Sequence, residues 1–125
     1  MIYTNFFVSF LFFQTLMEMQ VRAMNTSTEL NSVNAQESAL NRKIRLSEAT
    51  ENELKEVNGN DLDARVWQGI GKMFLASTVK DQIEQLERER KDYKEQITAL
   101  GKKKLYLETT LKNVSNALNE MNIKQ

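Results

Sequence analysis

The chain has 125 residues and equal numbers of basic and acidic side chains, 17 of each, so its formal net charge is zero. Because nucleic-acid binders normally carry a basic stripe, this balance argues against that class of protein. Cysteine and histidine are both absent, which excludes disulfides, thiolate catalysis and the commonest general base and metal ligand. We therefore predict that the chain is not an enzyme and has no catalytic residues, metal site or cofactor.

Residues 1–17, "MIYTNFFVSFLFFQTLM", form an apolar segment without a single charged side chain. The segment is short for a membrane span, which needs about 20 apolar residues, and it lacks the basic region of a signal peptide. Three interpretations stay open: a start assigned upstream of the true one at Met17, Met19 or nearby, a genuine apolar extension of a helical tip, or a membrane or secretory signal. We treat residues 1–17 as a separate segment.

Residues 18–60 are predicted to form a long helix and its C-cap. Residues spaced alternately by three and four form one stripe, which is typical of a coiled-coil seam although four members are polar. The stripe consists of Leu16, Met19, Ala23, Thr26, Leu30, Val33, Glu37, Leu40, Ile44, Ser47, Glu51 and Leu54. The sequence Asn58-Gly59-Asn60 ends the helix, and Gly59 is the expected left-handed residue.

Residues 61–76 are predicted to form a β-hairpin, because apolar and polar residues alternate in the stretch "ARVWQGIGKMFL" at 64–75. Gly69 and Gly71 bracket Ile70, where we place the reversal of the chain. A dinucleotide-binding interpretation of these glycines is weak, since Phe74 stands in place of the third glycine and no βαβ unit follows.

An isolated hairpin is marginal in water and leaves both outer edges unpaired. We therefore expect hairpins from several chains to pair edge to edge in an obligate oligomer. The candidate subunit-assembly residues are Val66, Trp67, Gly69, Ile70, Gly71, Met73, Phe74 and Leu75.

Residues 77–125 are predicted to form the second helix and its tail, with Thr78 and Asp81 as a capping box and Ser77 as an alternative N-cap. Its stripe keeps the same spacing and consists of Val79, Ile83, Leu86, Arg90, Tyr93, Ile97, Leu100, Lys104, Leu107, Leu111, Val114, Leu118 and Met121. The two helices have similar heptad lengths, so they can fold back on each other as an antiparallel pair. The predicted fold is mainly α: a long antiparallel coiled coil with a single β-hairpin between its two helices.

One hairpin between two long helices, with "RVWQGIGKMF" in the hairpin and "KKLYLE" on the second helix, resembles the β-class subunits of prefoldin. The resemblance covers about residues 19–122, as a judgement on pattern. The position of the hairpin carries the resemblance, because any heptad repeat resembles any other. An α-class subunit would carry two hairpins, and this chain has room for one.

The resemblance implies a heterohexamer of two α-class and four β-class subunits, in which the hairpins form a β-barrel body and coiled coils project as tentacles. Such an assembly works without ATP: it captures unfolded or nascent polypeptides such as actin and tubulin and passes them to the cytosolic chaperonin. The implied location is the cytoplasm, and the implied partners include neither nucleic acid nor a membrane.

We expect clients to bind at the tip, where the start of the first helix meets the end of the second. Apolar residues there outnumber the places on one seam, and methionine adapts to unrelated apolar chains. The candidate client-binding residues, called the tip residues below, are Leu16, Met17, Met19, Val21, Met24, Leu118, Met121 and Ile123. The alternative function is a membrane-tethered coiled-coil scaffold anchored by residues 1–17.

Overall fold

The computed structural model describes the backbone of residues 2–70 and 73–123 and the side chains of residues 2–69 and 76–121. Helix α1 (Ile2–Val57) is followed by strands β1 (Arg65–Ile70) and β2 (Met73–Thr78) and by helix α2 (Val79–Ile123). The two strands pair antiparallel as a two-stranded sheet. The prediction of two long helices separated by one hairpin is thus confirmed.

Helix α1 starts at Ile2, so the described part of the apolar segment 1–17 belongs to the same helix as the stripe that follows it. The sequence interpretation separated the two because their compositions differ. The first 57 residues contain neither glycine nor proline, so no helix-breaking residue interrupts α1. Among the described residues, no helix is long and apolar enough to cross a membrane.

Both predicted seams are confirmed, because every one of their members is buried or half-buried. Among the described side chains, the apolar ones buried most completely are Val33 and Leu40 on α1 and Val79, Ile83, Leu107 and Val114 on α2. The polar members Thr26 and Ser47 are buried as well. The exposed positions between seam residues carry most of the charge, as expected for two helices that bury one face each.

The chain divides into two compact units. Unit 1 contains residues 1–36 and 100–125, and in it α1 and α2 run antiparallel, with Lys103 Nζ 3.1 Å from Glu29 Oε1. Unit 2 contains residues 37–99, including the hairpin. In this unit Ser47 Oγ donates a hydrogen bond to the Leu86 carbonyl oxygen at 3.5 Å, across the seam.

Helix α1 ends in a Schellman motif. The Asn60 N–H donates to the Lys55 carbonyl oxygen at 2.8 Å, and the Gly59 N–H donates to that of Glu56 at 3.2 Å. Gly59 has φ of +61°, the left-handed value that this motif requires at its position, and Asn60 after it also has a positive φ, +63°. The predicted C-cap at Gly59 is confirmed.

Candidate subunit-assembly surface

The hairpin has two distinct faces, because side chains alternate along a strand and cross-strand partners share a face. Trp67, opposite Ala76, lies on the outer face together with Arg65, and all three are exposed. Trp67 leaves 71% of its surface in water. An exposed tryptophan on a two-stranded sheet is the kind of anchor that a protein interface buries.

Gln82 of α2 bonds to the described part of the inner face. Gln82 Nε2 donates to Gln68 Oε1 at 3.0 Å and to Ser77 Oγ at 3.1 Å, so it bonds to one residue of each strand. Val66 pairs with Ser77 and lies on this same face, half-buried. These contacts orient the sheet on α2 and leave the outer face, with Trp67, exposed.

Backbone hydrogen bonds join the hairpin to the start of α2. The Val79 N–H donates to the Ala64 carbonyl oxygen and the Lys80 N–H to that of Leu62, both at 2.9 Å. The Asp81 N–H donates to Thr78 Oγ1 at 3.2 Å, so the predicted N-cap at Thr78 is confirmed. Three N–H groups that a helix start leaves unsatisfied therefore have partners.

The reversal of the chain lies further along than the sequence indicated. Gly69 pairs with Phe74, and Ile70 pairs with Met73, so both belong to the ladder. The sequence-based prediction placed the turn at Ile70, between Gly69 and Gly71, because glycine favours turns. Strand β2 also continues to Thr78, two residues beyond the predicted hairpin boundary.

The structure divides the candidate assembly residues. Trp67 and Gly69 are exposed, whereas Val66 lies on the face that Gln82 contacts. Gly71 lies outside the described residues. The side chains of Ile70, Met73, Phe74 and Leu75 lie outside the described ones too, and the roles assigned to them stay predictions.

The tip residues divide into two groups within unit 1. Leu16, Met19, Leu118 and Met121 are half-buried members of the seams. Met17, Val21 and Met24 are exposed, and a shallow groove on α1 is lined by Met17, Glu18, Val21, Arg22, Asn25, Thr26 and Glu29. The side chain of Ile123 lies outside the described ones.

An ion pair across the seam of unit 2 was not predicted. Arg90 Nη1 lies 2.7 Å from Glu51 Oε2, and each side chain is only 13% exposed. Lys55 Nζ lies 3.4 Å from the other oxygen of the same carboxylate. The hydrogen bond from Arg90, with a smaller contribution from Lys55, lowers the pKa of Glu51 from 4.5 although burial opposes the shift. The sequence did contain a signal for this pair, because Glu51 and Arg90 are oppositely charged members of the two stripes and lie at similar distances from the hairpin.

No group of three or more acidic side chains that could hold a metal ion occurs among the residues the structure describes. The structure thus offers two candidate functional surfaces. One is the outer face of the hairpin in unit 2, and the other is the exposed surface of Met17, Val21 and Met24 in unit 1. Both are exposed at the surface of the protein.

Comparison with known proteins gives a consistent answer. The family model described as "Prefoldin subunit" matches residues 17–125. Probable prefoldin subunit 1 of Schizosaccharomyces pombe is 31% identical over 104 residues, which cover 83% of this chain and 90% of the relative. Prefoldin subunit 1 of Saccharomyces cerevisiae is 33% identical over 104 residues, covering 82% and 92%.

Among solved structures, the prefoldin beta subunit from Thermococcus strain KS-1 superposes with a TM-score of 0.74 over 85% of this chain and 90% of that one. At 15% sequence identity this match supports the fold alone. The family match over residues 17–125 and the relative at 31% identity carry the assignment. The chain belongs to the prefoldin subunit family, whose members are chaperone subunits that assemble with one another.

Proposed function

We propose that this chain is a β-class subunit of a heterohexameric, ATP-independent chaperone that holds non-native polypeptides. The observation that carries the proposal is the outer face of the hairpin, where Trp67 is 71% exposed while Gln82 holds the inner face on α2. A two-stranded sheet with open edges and an exposed tryptophan is stable when neighbouring hairpins extend the sheet. Pairing of hairpins from two α-class and four β-class subunits would supply those neighbours.

Client binding is proposed at the tip, through the exposed residues Met17, Val21 and Met24. These side chains lie off the seam, so pairing of α1 with α2 leaves them in water. The half-buried members Leu16, Met19, Leu118 and Met121 would support this surface, with Ile123 beyond them. Each contact is weak, and capture becomes strong when several subunits engage one client at once.

The remaining parts of the proposal rest on the family resemblance. The clients include nascent actin and tubulin, the receiving partner is the cytosolic chaperonin, and the site of action is the cytoplasm. No observation favours the membrane-tethered scaffold as a second function.

Assembly is tested by co-expressing the tagged chain with an α-class subunit and measuring the amount that co-purifies. We expect Trp67→Ser to abolish co-purification, because it removes the anchor of the outer face. Leu46→Ser is the matched control, since Leu46 is 68% exposed on α1 and lies away from the hairpin. Normal assembly of Trp67→Ser would contradict the proposed role of the hairpin.

Client binding is tested with the assembled complex, by measuring how well it suppresses the aggregation of chemically unfolded actin. Met17, Val21 and Met24 are replaced together by serine, and we expect assembly to persist and suppression to be lost. The control replaces Leu105 and Tyr106 by serine, because both are 66% exposed in the same unit but on α2. If the triple variant suppresses actin aggregation as well as the control variant and the wild type do, binding through this surface is excluded.

A further inference from the structure

Methionine carries all the sulfur in this chain, because cysteine is absent. Four of the six methionines are tip residues: Met17, Met19, Met24 and Met121. The side chains of the other two, Met1 and Met73, lie outside the described ones. Since oxidants such as peroxides attack the sulfur of cysteine and methionine, their targets in this chain are concentrated where client binding is proposed.

The four methionines at the tip differ in their access to solvent. Met24 is 70% exposed and Met17 is 47% exposed, whereas Met19 and Met121 are half-buried in the seams. Susceptibility to oxidation rises with exposure, so a dissolved peroxide reaches the first two sulfurs before the other two. The tip therefore contains one accessible pair of methionines and one protected pair.

The accessible pair forms the two ends of one row on α1. Met17 and Met24 are seven residues apart, nearly two helical turns, and Val21 lies between them on the same side. The centre of this row lies roughly 140° around the helix from the seam, so an oxygen atom added to either sulfur stays outside the contact with α2. Among the described residues that line the shallow groove beside the row, Met17 and Val21 are the apolar ones.

Oxidation changes the chemical character of this row. A thioether sulfur takes one oxygen atom from hydrogen peroxide, whose O–O bond breaks, and the remaining oxygen leaves as water. The sulfur gives up two electrons to the peroxide, and no bond within the chain is broken. The sulfoxide that forms is polar, so an apolar client side chain would have to displace its water. Of the three side chains in the row, only Val21 would remain apolar.

We propose that Met17 and Met24 are sites of reversible oxidation by peroxide, and that their sulfoxides weaken client binding by this subunit. The inference rests on the proposed function, because it assigns a regulation to the same surface. Reversal removes the oxygen as water while two thiols are oxidised to a disulfide. Since this chain has no cysteine, a methionine sulfoxide reductase must supply those thiols. The protected seams keep the coiled coil intact meanwhile.

The order of oxidation is measured without any client. The assembled complex is treated with hydrogen peroxide for increasing times, catalase removes the excess, and peptide mass spectrometry gives the sulfoxide fraction at each methionine. We expect Met17 and Met24 to be oxidised about threefold faster, or more, than Met19 and Met121, because their sulfurs are more accessible. Size-exclusion chromatography checks that the oxidised complex remains assembled.

The effect on client binding is measured as suppression of actin aggregation, with each complex compared with its own untreated sample. Peroxide should remove more than about half of the suppression by wild type, and methionine sulfoxide reductases for both epimers, with dithiothreitol, should restore it. The variant with Met17→Leu and Met24→Leu should show no peroxide effect. The matched control, with Met19→Leu and Met121→Leu, should stay as sensitive as wild type. Methionines elsewhere in the complex are common to all three samples and cancel.

A further variant needs no oxidant. Replacing Met17 and Met24 by glutamine puts a carbonyl oxygen at about the position of the sulfoxide oxygen, since the two side chains have the same length. We expect this untreated variant to reproduce the loss of suppression in oxidised wild type while the complex remains assembled.

Equal oxidation rates at the four methionines would overturn the proposal, as would a peroxide effect of equal size in wild type and in the variant with Met17→Leu and Met24→Leu. Dissociation of the oxidised complex would overturn it too, because the loss would then come from assembly. If untreated wild type does not suppress aggregation, the proposed function itself fails. Normal untreated suppression that peroxide leaves unchanged defeats this inference alone.

Discussion

The Glu51–Arg90 ion pair should contribute measurably to stability, unlike the ion pairs on the surface of the coiled coil. Its two atoms are 2.7 Å apart, and both side chains are 13% exposed. A hydrogen bond between charged groups contributes about 1.5–3 kcal/mol to the free energy of unfolding, against about 0.2–1 kcal/mol for an exposed pair. Because part of the pair still contacts water, we expect a coupling energy of about 2 kcal/mol.

The coupling energy is measured with a double-mutant cycle of Glu51→Gln and Arg90→Met, in which each replacement keeps most of the side-chain volume. Urea unfolding is followed by circular dichroism at 222 nm, at one protein concentration because association adds to apparent stability. The contact of Lys55 with the carboxylate changes equally in both arms that carry Glu51→Gln, so it cancels.

The matched control is the same cycle on Glu29 and Lys103, whose atoms lie 3.1 Å apart while the side chains are 50% and 49% exposed. We expect a coupling energy below about 0.5 kcal/mol there. A value for Glu51–Arg90 that does not exceed this control would refute the claim that burial strengthens the seam pair.

Three further predictions concern single positions. Because the pKa of Glu51 is lowered from 4.5, its carboxylate contributes fully to stability above that pH, and this contribution is lost as pH falls through the folded pKa. The difference in urea midpoint between wild type and Glu51→Gln should therefore be present at neutral pH and disappear at strongly acidic pH. Gly59→Ala should lower the free energy of unfolding by about 1 kcal/mol, since φ is +61°, whereas Gly101→Ala inside α2 should raise it by up to about 1 kcal/mol, because a new Cβ meets no atom there. Thr78→Ala should cost about 1 kcal/mol by losing the N-cap bond, as measured by thermal unfolding, and Thr78→Ser should retain most of it.

The helical seams could be predicted residue by residue, because their burial follows the three-four spacing that pairs two helices. Even the polar members Glu51 and Arg90 lie where the stripe placed them. Periodicity does not state which polar side chains meet, however, since that depends on the register between the two helices. The ion pair itself therefore required coordinates.

The hairpin was predictable in kind but not in register. Glycine indicated a reversal, yet Gly69 lies in the ladder, where glycine weakens a strand without excluding it, and only its pairing with Phe74 shows this. The role of Gln82 had no local signal, because a glutamine on a helix is usually solvated. Its hydrogen bonds depend on how the sheet lies on α2.

The first turns of α1 show a different limit. Residues 1–17 were judged by their total hydrophobicity, which hides the spacing of Tyr3, Phe6, Phe10 and Phe13. Once the helix is known to start at Ile2, these four side chains lie along one side of it, while Phe7, Val8 and Leu11 lie on other sides. Secondary structure had to be known before the pattern could be read.

The separation in sequence of the residues that α1 and the hairpin contact in α2 predicts an order of folding. Gln68 and Gln82 are 14 residues apart in sequence, Ser47 and Leu86 are 39 apart, and Glu29 and Lys103 are separated by still more chain. Loop-closure entropy grows with that separation, so contacts close to the hairpin form first and pairing proceeds outward. Synthesis runs in the opposite sense along α1, so seam residues of unit 1 such as Leu16 and Met19 are made before those of unit 2 but pair with α2 after them.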